Sequence, residues 1–319
     1  MSMAAGGAVV LAAVLDWILR EPPTRIHPVA LFGRLVAPVD REWGRPTLVG
    51  VAAASLLPLF AAVVVAGTVR LAAAVHPALA LVAVSLVLFS TTSLRMLLDA
   101  ARRVVADSDS DSEAARRQLR ALAGRDPENL SSGELRSAAV ESVAENLADG
   151  LVAPILAFAV FVPLSPSLAA GAAAWVKAVN TLDSMLGYRH KPVGWASARL
   201  DDVVMWPPAR VSAVLIALAA GDVGALTRAS EWVREPPSPN SGWPMATLAA
   251  ALDVRLDKPG VYVLNPNVAL PTPADATHGI RIVGVAGVFA WGLAFVAALF
   301  ADTTFVDIVS LTSEVLTWF

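Results

Sequence analysis

Long apolar stretches separated by short polar ones make up most of the chain. Three of them, at residues 47–69, 77–94 and 282–301, are close to the length that a helix needs to cross a bilayer. Two more, residues 3–19 and 303–319, are shorter or contain acidic side chains, so the pattern leaves them marginal. A bilayer requires backbone groups to bond within the protein, and helices satisfy this requirement. The pattern predicts an all-α integral membrane protein, a polytopic helical bundle with about 4–6 spans.

A break divides the apolar stretch that begins near residue 148. The run Val162-Pro-Leu-Ser-Pro166 contains two closely spaced prolines and a serine, a combination that ends helices and favours turns. Two short helices on either side of it can enter the bilayer and return to the side from which they came. Broken helices are tolerated at membrane depth when their backbone groups are buried in protein. We therefore predict a re-entrant helical hairpin near residues 148–179.

Positive charge indicates the orientation of the chain. Five arginines lie between residues 20 and 45, and eight lie between residues 95 and 136. Loops rich in arginine stay on the cytoplasmic side of a membrane, and the re-entrant hairpin returns the following polar segments to that side. We predict a single polytopic membrane domain, residues 1–319, with cytoplasmic loops at about 20–46, 95–147, 180–210 and 221–279.

The overall composition agrees with a membrane protein and excludes several other classes. Apolar residues make up 56% of the chain, charged residues 16%, and the mean hydropathy is +0.62, values outside the range of ordinary soluble domains. The chain has no cysteine, which excludes disulfides, iron–sulfur clusters and thiolate zinc sites. Its net charge of −3, with no basic patch among aromatic residues, gives no indication of a nucleic-acid partner. Membrane lipids are the surroundings that the composition predicts.

The first candidate site is a row of acidic residues before the predicted hairpin. Ser131 and Glu134 resemble a capping box, which predicts that a helix begins here. On that helix Glu141, Glu145 and Asp149 follow one another at i, i+4 and i+8, along one face. A solvated helix face, or pairing with nearby arginines, would also explain the row. The adjoining apolar stretch places Asp149 at the membrane boundary or within the fold, which favours a hard cation such as Mg²⁺ together with phosphate oxygens.

A second polar segment follows the hairpin. Lys177, Asn180 and Asp183 or Ser184 share one side of a helix, which suits a phosphate and its metal. A capped helix end is the simpler interpretation if this segment is taken alone. Further charged residues follow closely, and arginines among them can bind phosphate or carboxylate in two-point geometry. These are Arg199, Asp201, Asp202 and Arg210.

Several longer runs carry a resemblance to the CobD/CbiB family of cobalamin biosynthesis. The runs are Glu141-Ser-Val-Ala-Glu-Asn-Leu-Ala-Asp-Gly150, Lys177-Ala-Val-Asn-Thr-Leu-Asp-Ser-Met-Leu-Gly-Tyr188 and Ala196-Ser-Ala-Arg-Leu-Asp-Asp202. Shorter matches are His27-Pro-Val29, Pro208-Ala-Arg210, Ser238-Pro-Asn-Ser-Gly-Trp-Pro-Met245 and Lys258-Pro-Gly-Val-Tyr262. They occur in family order from about residue 11 to 300, and together they are highly specific.

The resemblance implies an adenosylcobinamide-phosphate synthase in the cell membrane. Such an enzyme is a ligase that joins aminopropanol phosphate, or a related amino alcohol, to a propionate of adenosylcobyric acid. The family is understood to use ATP as co-substrate and Mg²⁺, although the chain contains no nucleotide-binding motif. A corrinoid, an amino-alcohol phosphate and other enzymes of the pathway are the partners that the resemblance implies. The active site is expected on the cytoplasmic side.

Roles for individual residues follow from the residue types and the resemblance together. The expected catalytic residues are Glu141, Glu145, Asp149, Asp183 and Lys177. The expected metal ligands are Glu145, Asp149, Asp183, Asp201 and Asp202. The expected substrate-binding residues are His27, Asn146, Asn180, Ser184, Arg199, Arg210 and Asn240.

Two departures from the family pattern and two alternative functions remain. Glu21-Pro22-Pro23 stands where the family often has Gly-Asp-Pro, and Met205-Trp206 replaces a more usual Asn-aromatic pair.

A Mg²⁺-dependent transferase acting on a lipid substrate would also use spaced acidic residues beside membrane spans. A membrane transporter would as well, but transporters usually contain a second copy of such a region, and the sequence has none.

Overall fold

Helices account for most of the structure, a computed structural model that describes residues 2–122, 126–188 and 191–316. Residues 2–4, 121 and 302–316 are described by their backbone alone. The helices are α1 Ser2–Leu19, α2 Pro28–Val36, α3 Pro46–Val75, α4 Pro77–Thr91, α5 Arg95–Asp107, α6 Ser112–Leu122, α7 Ser132–Leu147, α8 Ala153–Phe161, α9 Pro166–Leu186, α10 Trp195–Val204, α11 Trp206–Ala220, α12 Gly224–Ala229, α13 Gly242–Leu252 and α14 Pro273–Leu316. A π turn, Ala148–Val152, joins α7 to α8, and 3-10 turns occupy Ala37–Val39 and Pro192–Gly194. Strands β1 Leu256–Lys258 and β2 Tyr262–Leu264 form a small antiparallel hairpin.

The prediction of an all-α membrane protein is confirmed. Four helical stretches among the described residues are long and apolar enough to cross a membrane, and a bent pair, Pro192–Val204 with Trp206–Ala220, would make a fifth. Three of the four, Pro46–Val75, Pro77–Asp107 and Pro273–Ala301, contain the spans expected from hydropathy. The fourth is Ser132–Phe161, which the sequence divided between a cytoplasmic loop and the first arm of the hairpin. Buried polar residues in α7 lower its hydropathy, so the sequence pattern did not show that α7 continues into α8.

The helical hairpin forms where the two prolines predict it. Helices α8 and α9 pack against each other, and the turn between them ends at Ser165, whose hydroxyl accepts hydrogen bonds from the Ser167 and Leu168 amides. The arms lie at Ala153–Phe161 and Pro166–Leu186, so the second arm is longer than predicted. That the hairpin enters and leaves the bilayer on one side remains a prediction.

Internal contacts divide the chain into two compact units. The first contains α1–α4, α8, α9, most of α10 and the C-terminal part of α14. Its core includes the close packing of α3 against α9 and a cluster of Val36, Ala54, Leu182 and Leu186. The second contains α5–α7, the π turn, α11–α13, the β-hairpin and the first part of α14. Its core includes Leu135, Val143, Leu147, Ile216 and Met245, which are all buried.

The start of α7 is the capping box that the sequence predicts. The Ser131 hydroxyl accepts from the Glu134 amide at 3.4 Å, and the Glu134 carboxylate accepts from the Ser131 amide at 2.7 Å. This reciprocal pair satisfies two of the amides that a helix start leaves without intrahelical partners. The cap fixes the phase of α7, and thereby the positions of the acidic residues that follow on it.

Candidate functional site

A polar cavity of about 460 Å³ lies within the second unit. Helix α7 and the π turn supply one side of it, the loop before α13 a second side, and the β-hairpin a third. The residues around it are Leu122, Ser142, Glu145, Asn146, Asp149, Pro236, Pro237, Ser238, Ser241, Lys258 and Tyr262. It therefore combines two carboxylates, an amide, several hydroxyls and one ammonium group.

The acidic side of the cavity comes from successive turns of one continuous helix. Glu145, Asn146 and Asp149 are half-buried, and each lines the cavity. Asp149 lies in the π turn, an irregularity that is frequent at functional sites because it reorients the side chains on it. The Asn146 side-chain amide donates to the Ser142 carbonyl at 2.9 Å, which fixes its orientation. The structure thus brings together three of the residues that the sequence singled out.

Glu141, one helical turn earlier, lies in a different environment. Its side chain is 1% exposed and does not line the cavity. Its carboxylate accepts from the Ser137 hydroxyl at 2.8 Å and from the Tyr262 hydroxyl at 2.6 Å. The spacing i, i+4, i+8 placed Glu141 on the face of Glu145 and Asp149, but the β-hairpin covers that end of the face. Glu141 therefore lies beside the cavity and not in its lining, and its catalytic role remains a prediction.

The cation of the cavity, Lys258, ends strand β1 and begins the tight turn of the hairpin. The turn closes with a hydrogen bond from the Val261 amide to the Lys258 carbonyl at 2.9 Å. Gly260 has φ of +73°, a conformation that glycine adopts without strain. The run from Lys258 to Tyr262 carried part of the family resemblance, but nothing in its residues alone indicated a site. Lys258, Tyr262, Ser142, Ser238 and Ser241 are the cavity residues that sequence reasoning missed.

Arg210 and Asn240 occupy a second cluster of this unit, where they stabilise the loop before α13. The Arg210 guanidinium donates to the Asn240 side-chain oxygen at 2.5 Å, to the Trp206 carbonyl at 3.1 Å and to the Pro239 carbonyl at 3.3 Å. It also lies 4.6 Å from the ring centre of Trp206 and 5.4 Å from that of Trp243, within cation–π range.

The other partners of Asn240 complete this arrangement. Asn240 is 5% exposed and donates to the Asp202 carbonyl at 2.8 Å. Its backbone amide, like that of Ser241, donates to the Ser238 hydroxyl. Arg210 and Asn240 therefore hold Ser238 and Ser241 at the cavity, a supporting role in addition to the substrate contact expected from the sequence.

Among the remaining candidates, Asp202 lies on α10 at the start of the second unit's later segment, and the others belong to the first unit. Lys177, Asn180, Asp183 and Ser184 lie on α9, and Arg199 and Asp201 lie on α10. Lys177 lines a separate, mostly apolar pocket of about 310 Å³ together with Phe32, Val65, Val87 and Thr181. The Ser184 hydroxyl donates to the Thr181 carbonyl at 2.9 Å, within its own helix. Their roles in substrate or metal binding remain predictions.

His27 caps the start of α2 in the first unit. Its Nδ1 accepts from the Val29 amide at 3.2 Å, and its Nε2 lies 3.7 Å from the Glu21 carboxylate. Burial lowers the pKa of His27 below 6.5, and nearby Lys177 lowers it further against the opposing effect of Glu21. The cap needs Nδ1 unprotonated, so His27 is a structural hydrogen-bond acceptor in the neutral state.

We expect the His27 cap to make stability depend on pH. Because the folded pKa lies below the unfolded one, the contribution is complete above about pH 6.5 and is lost as the pH falls toward the folded value. His27→Asn keeps a capping side chain without a titrating group. Thermal unfolding in detergent is measured at pH 7.5 and pH 5.5. The free energy of unfolding of the wild type should fall by about 1 kcal/mol at the lower pH, a decrease that the variant lacks. Equal drops would contradict the assignment.

The cavity in the second unit contains oxygen ligands of the kind that bind Mg²⁺. Within the described residues, no three histidine, aspartate or glutamate side chains are grouped so that they could hold a metal. Mg²⁺ in enzymes is commonly held by one or two carboxylates and by substrate phosphates. Glu145 and Asp149, with Asn146 beside them, fit that pattern.

Comparisons with known proteins agree with the resemblance seen in the sequence. The family model described as CobD/Cbib protein matches residues 9–286. A probable cobalamin biosynthesis protein CobD from Methanothrix thermoacetophila is 36% identical over 296 residues, covering 88% of this chain and 93% of the relative. Cobalamin biosynthesis protein CobD from Geobacter metallireducens is 39% identical over 297 residues, covering 86% and 90%. The one from Mycobacterium tuberculosis is 39% identical over 267 residues, covering 80% and 81%. No solved structure matches.

Proposed function

Because the chain belongs to the CobD/CbiB family of cobalamin-biosynthesis membrane proteins, we propose that it is an adenosylcobinamide-phosphate synthase. In this reaction an amino-alcohol phosphate such as aminopropanol phosphate is joined by an amide bond to a propionate of adenosylcobyric acid, with ATP and Mg²⁺. We assign the site to the polar cavity of the second unit. This assignment rests on the observation that Glu145, Asp149 and Lys258 line one small cavity.

The size and charge of the cavity favour the smaller substrate. A volume of about 460 Å³ accommodates an amino-alcohol phosphate with a cation, whereas a corrinoid with its side chains is much larger. Lys258 and the hydroxyls of Ser238 and Ser241 suit a phosphate, since ammonium and hydroxyl groups donate to its oxygens. The corrinoid would therefore present its propionate at the cavity while most of its ring stays outside.

Two chemical steps account for the product. The propionate oxygen attacks the γ-phosphorus of ATP and ADP leaves, which gives an acyl phosphate. The amine nitrogen then attacks the acyl carbon, inorganic phosphate leaves, and the nitrogen loses a proton. Glu145 or Asp149 accepts that proton, a transfer that positioned carboxylates can perform. Lys258 holds the phosphate of the amino alcohol, so the amine is oriented toward the acyl carbon.

Mg²⁺ would be held by Glu145 and Asp149. When bound, it supplies positive charge that draws phosphate oxygens together and offsets their negative charge. We further propose that the protein resides in the cell membrane as a multi-pass protein, with the cavity on the cytoplasmic side, where ATP is available. The arginine-rich segments before residue 46 and before α7 support this orientation.

The proposal is tested through the phosphate group. The purified protein in detergent is supplied with adenosylcobyric acid, ATP, Mg²⁺ and either aminopropanol phosphate or aminopropanol, and the corrinoid mass is followed. Lys258→Gln should lower the preference for the phosphorylated amine by about 10–100-fold, because a charged hydrogen bond contributes about 1.5–3 kcal/mol.

A matched lysine elsewhere serves as the control. Lys191→Gln removes an ammonium that lies 2.8 Å from Asp40 in the first unit, and it should leave the preference unchanged. An unaltered preference in Lys258→Gln would move the phosphate site away from this cavity. Absence of product from the wild type with any amino alcohol would overturn the function itself.

A further inference from the structure

We propose that Glu141 is a positioning residue whose buried carboxylate holds Lys258 in place opposite Glu145 and Asp149. The inference rests on the proposed function of the cavity, which these three residues line. Glu141 itself is 1% exposed and lies outside the cavity. Burying a carboxylate costs free energy unless hydrogen bonds satisfy its oxygens, so the groups that donate to Glu141 indicate its structural role.

One carboxylate oxygen connects α7 to the first strand of the hairpin. The Ser137 hydroxyl donates to Glu141 Oε1 at 2.8 Å and accepts from the Asp257 backbone amide at 2.7 Å. Asp257 immediately precedes Lys258 on β1. The short chain from Glu141 through Ser137 to Asp257 therefore fixes the backbone that carries the cavity's cation.

The other carboxylate oxygen connects α7 to the second strand. The Tyr262 hydroxyl donates to Glu141 Oε2 at 2.6 Å, the short distance typical of a charge-assisted hydrogen bond. Lys258 and Tyr262 are paired across the two strands. Both ends of the turn that contains Lys258 are thus attached to the helix that carries Glu145 and Asp149.

The arrangement requires a carboxylate. Both hydroxyl groups donate to Glu141, and a carboxylate offers two acceptor oxygens. Glutamine offers one acceptor and one donor group of the same shape. In Glu141→Gln the side-chain amide group must face one of the two hydroxyl groups, so the hydrogen bond with Ser137 or the one with Tyr262 has to break or reverse its direction.

Kinetics of Glu141→Gln and Ser137→Ala form the first test. Each should raise the KM for aminopropanol phosphate by about tenfold, as removal of supporting partners of a site commonly does, and leave the KM for adenosylcobyric acid unchanged. The double variant should show less than the sum of the two single changes, because both disturb the connection through Ser137. Ser212→Ala is the matched control, since among the described residues that buried hydroxyl bonds to the Pro208 carbonyl of its own helix. Loss of folded protein with an unchanged KM would overturn the inference.

Hydrogen exchange forms the second test and does not depend on activity. The amides of residues 256–264 should exchange at least about tenfold faster in Glu141→Gln and in Ser137→Ala than in the wild type, as local opening becomes easier. Unchanged exchange there would overturn the connection directly. If the wild type forms no product, the proposed function has failed, and the exchange result still decides whether Glu141 holds the hairpin.

Discussion

Asp149→Asn is expected to lower kcat/KM for the proposed amide formation by at least about 100-fold, with Glu145→Gln giving a loss of similar size. Both replacements keep the shape of the side chain and remove its negative charge. Neither residue is fully buried, so the folded structure should tolerate the change. The loss should appear in the rate of corrinoid product formation, while the thermal unfolding temperature stays close to that of the wild type.

The dependence on Mg²⁺ separates the two roles that these carboxylates can have. A residue that binds the metal should, when neutralised, raise the Mg²⁺ concentration needed for half-maximal rate. A residue that accepts the amine proton should leave that concentration unchanged and alter the pH–rate profile. Glu128→Gln, at an exposed pair with Arg120 in the same unit, is the matched control and should behave as the wild type. Wild-type kinetics in both site variants would remove the acidic residues from the mechanism.

The sequence predicts those parts of the structure that depend on neighbouring residues. Hydropathy located three spans, the prolines located the hairpin turn, and the capping box located the start of α7. Helical periodicity also placed Glu145 and Asp149 on one face, and both line the cavity together with Asn146, which the residue types and the resemblance had indicated. Each of these features follows from a backbone preference or a repeat within a short segment.

Features that depend on distant contacts were not accessible in this way. Glu141 has the same spacing as its neighbours, but Tyr262, 121 residues later, buries it. The residue type of Arg210 predicts a phosphate ligand, but it does not predict the contacts of its guanidinium with Trp206, Trp243 and Asn240. Lys258 lies in a short segment whose place beside α7 depends on tertiary packing. Such contacts require the fold itself, because no local pattern specifies them.

A single added methyl group at Gly50 is expected to destabilise the first unit strongly. A Cβ at this position of α3 would lie 2.1 Å from the Val193 carbonyl oxygen and 3.0 Å from the Val193 carbonyl carbon. Because both atoms belong to the backbone, rotation of a side chain cannot relieve the clash. Gly50→Ala must separate α3 from the segment that joins α9 to α10, and overpacking of this kind typically costs about 1–3 kcal/mol.

Gly67 lies in the same helix and provides the matched comparison, because a Cβ there would meet no other part of the described structure within 4 Å beyond its own helix backbone. Alanine favours a helix interior over glycine by up to about 1 kcal/mol, so Gly67→Ala should leave the unfolding temperature unchanged or raise it slightly. Gly50→Ala should lower it by roughly 5 °C or more in the same detergent. Since the displaced segment leads into the helix that carries Arg199 and Asp201, product formation should fall as well. Equal unfolding temperatures for the two variants would show that the close approach of α3 to Val193 does not exist in the protein.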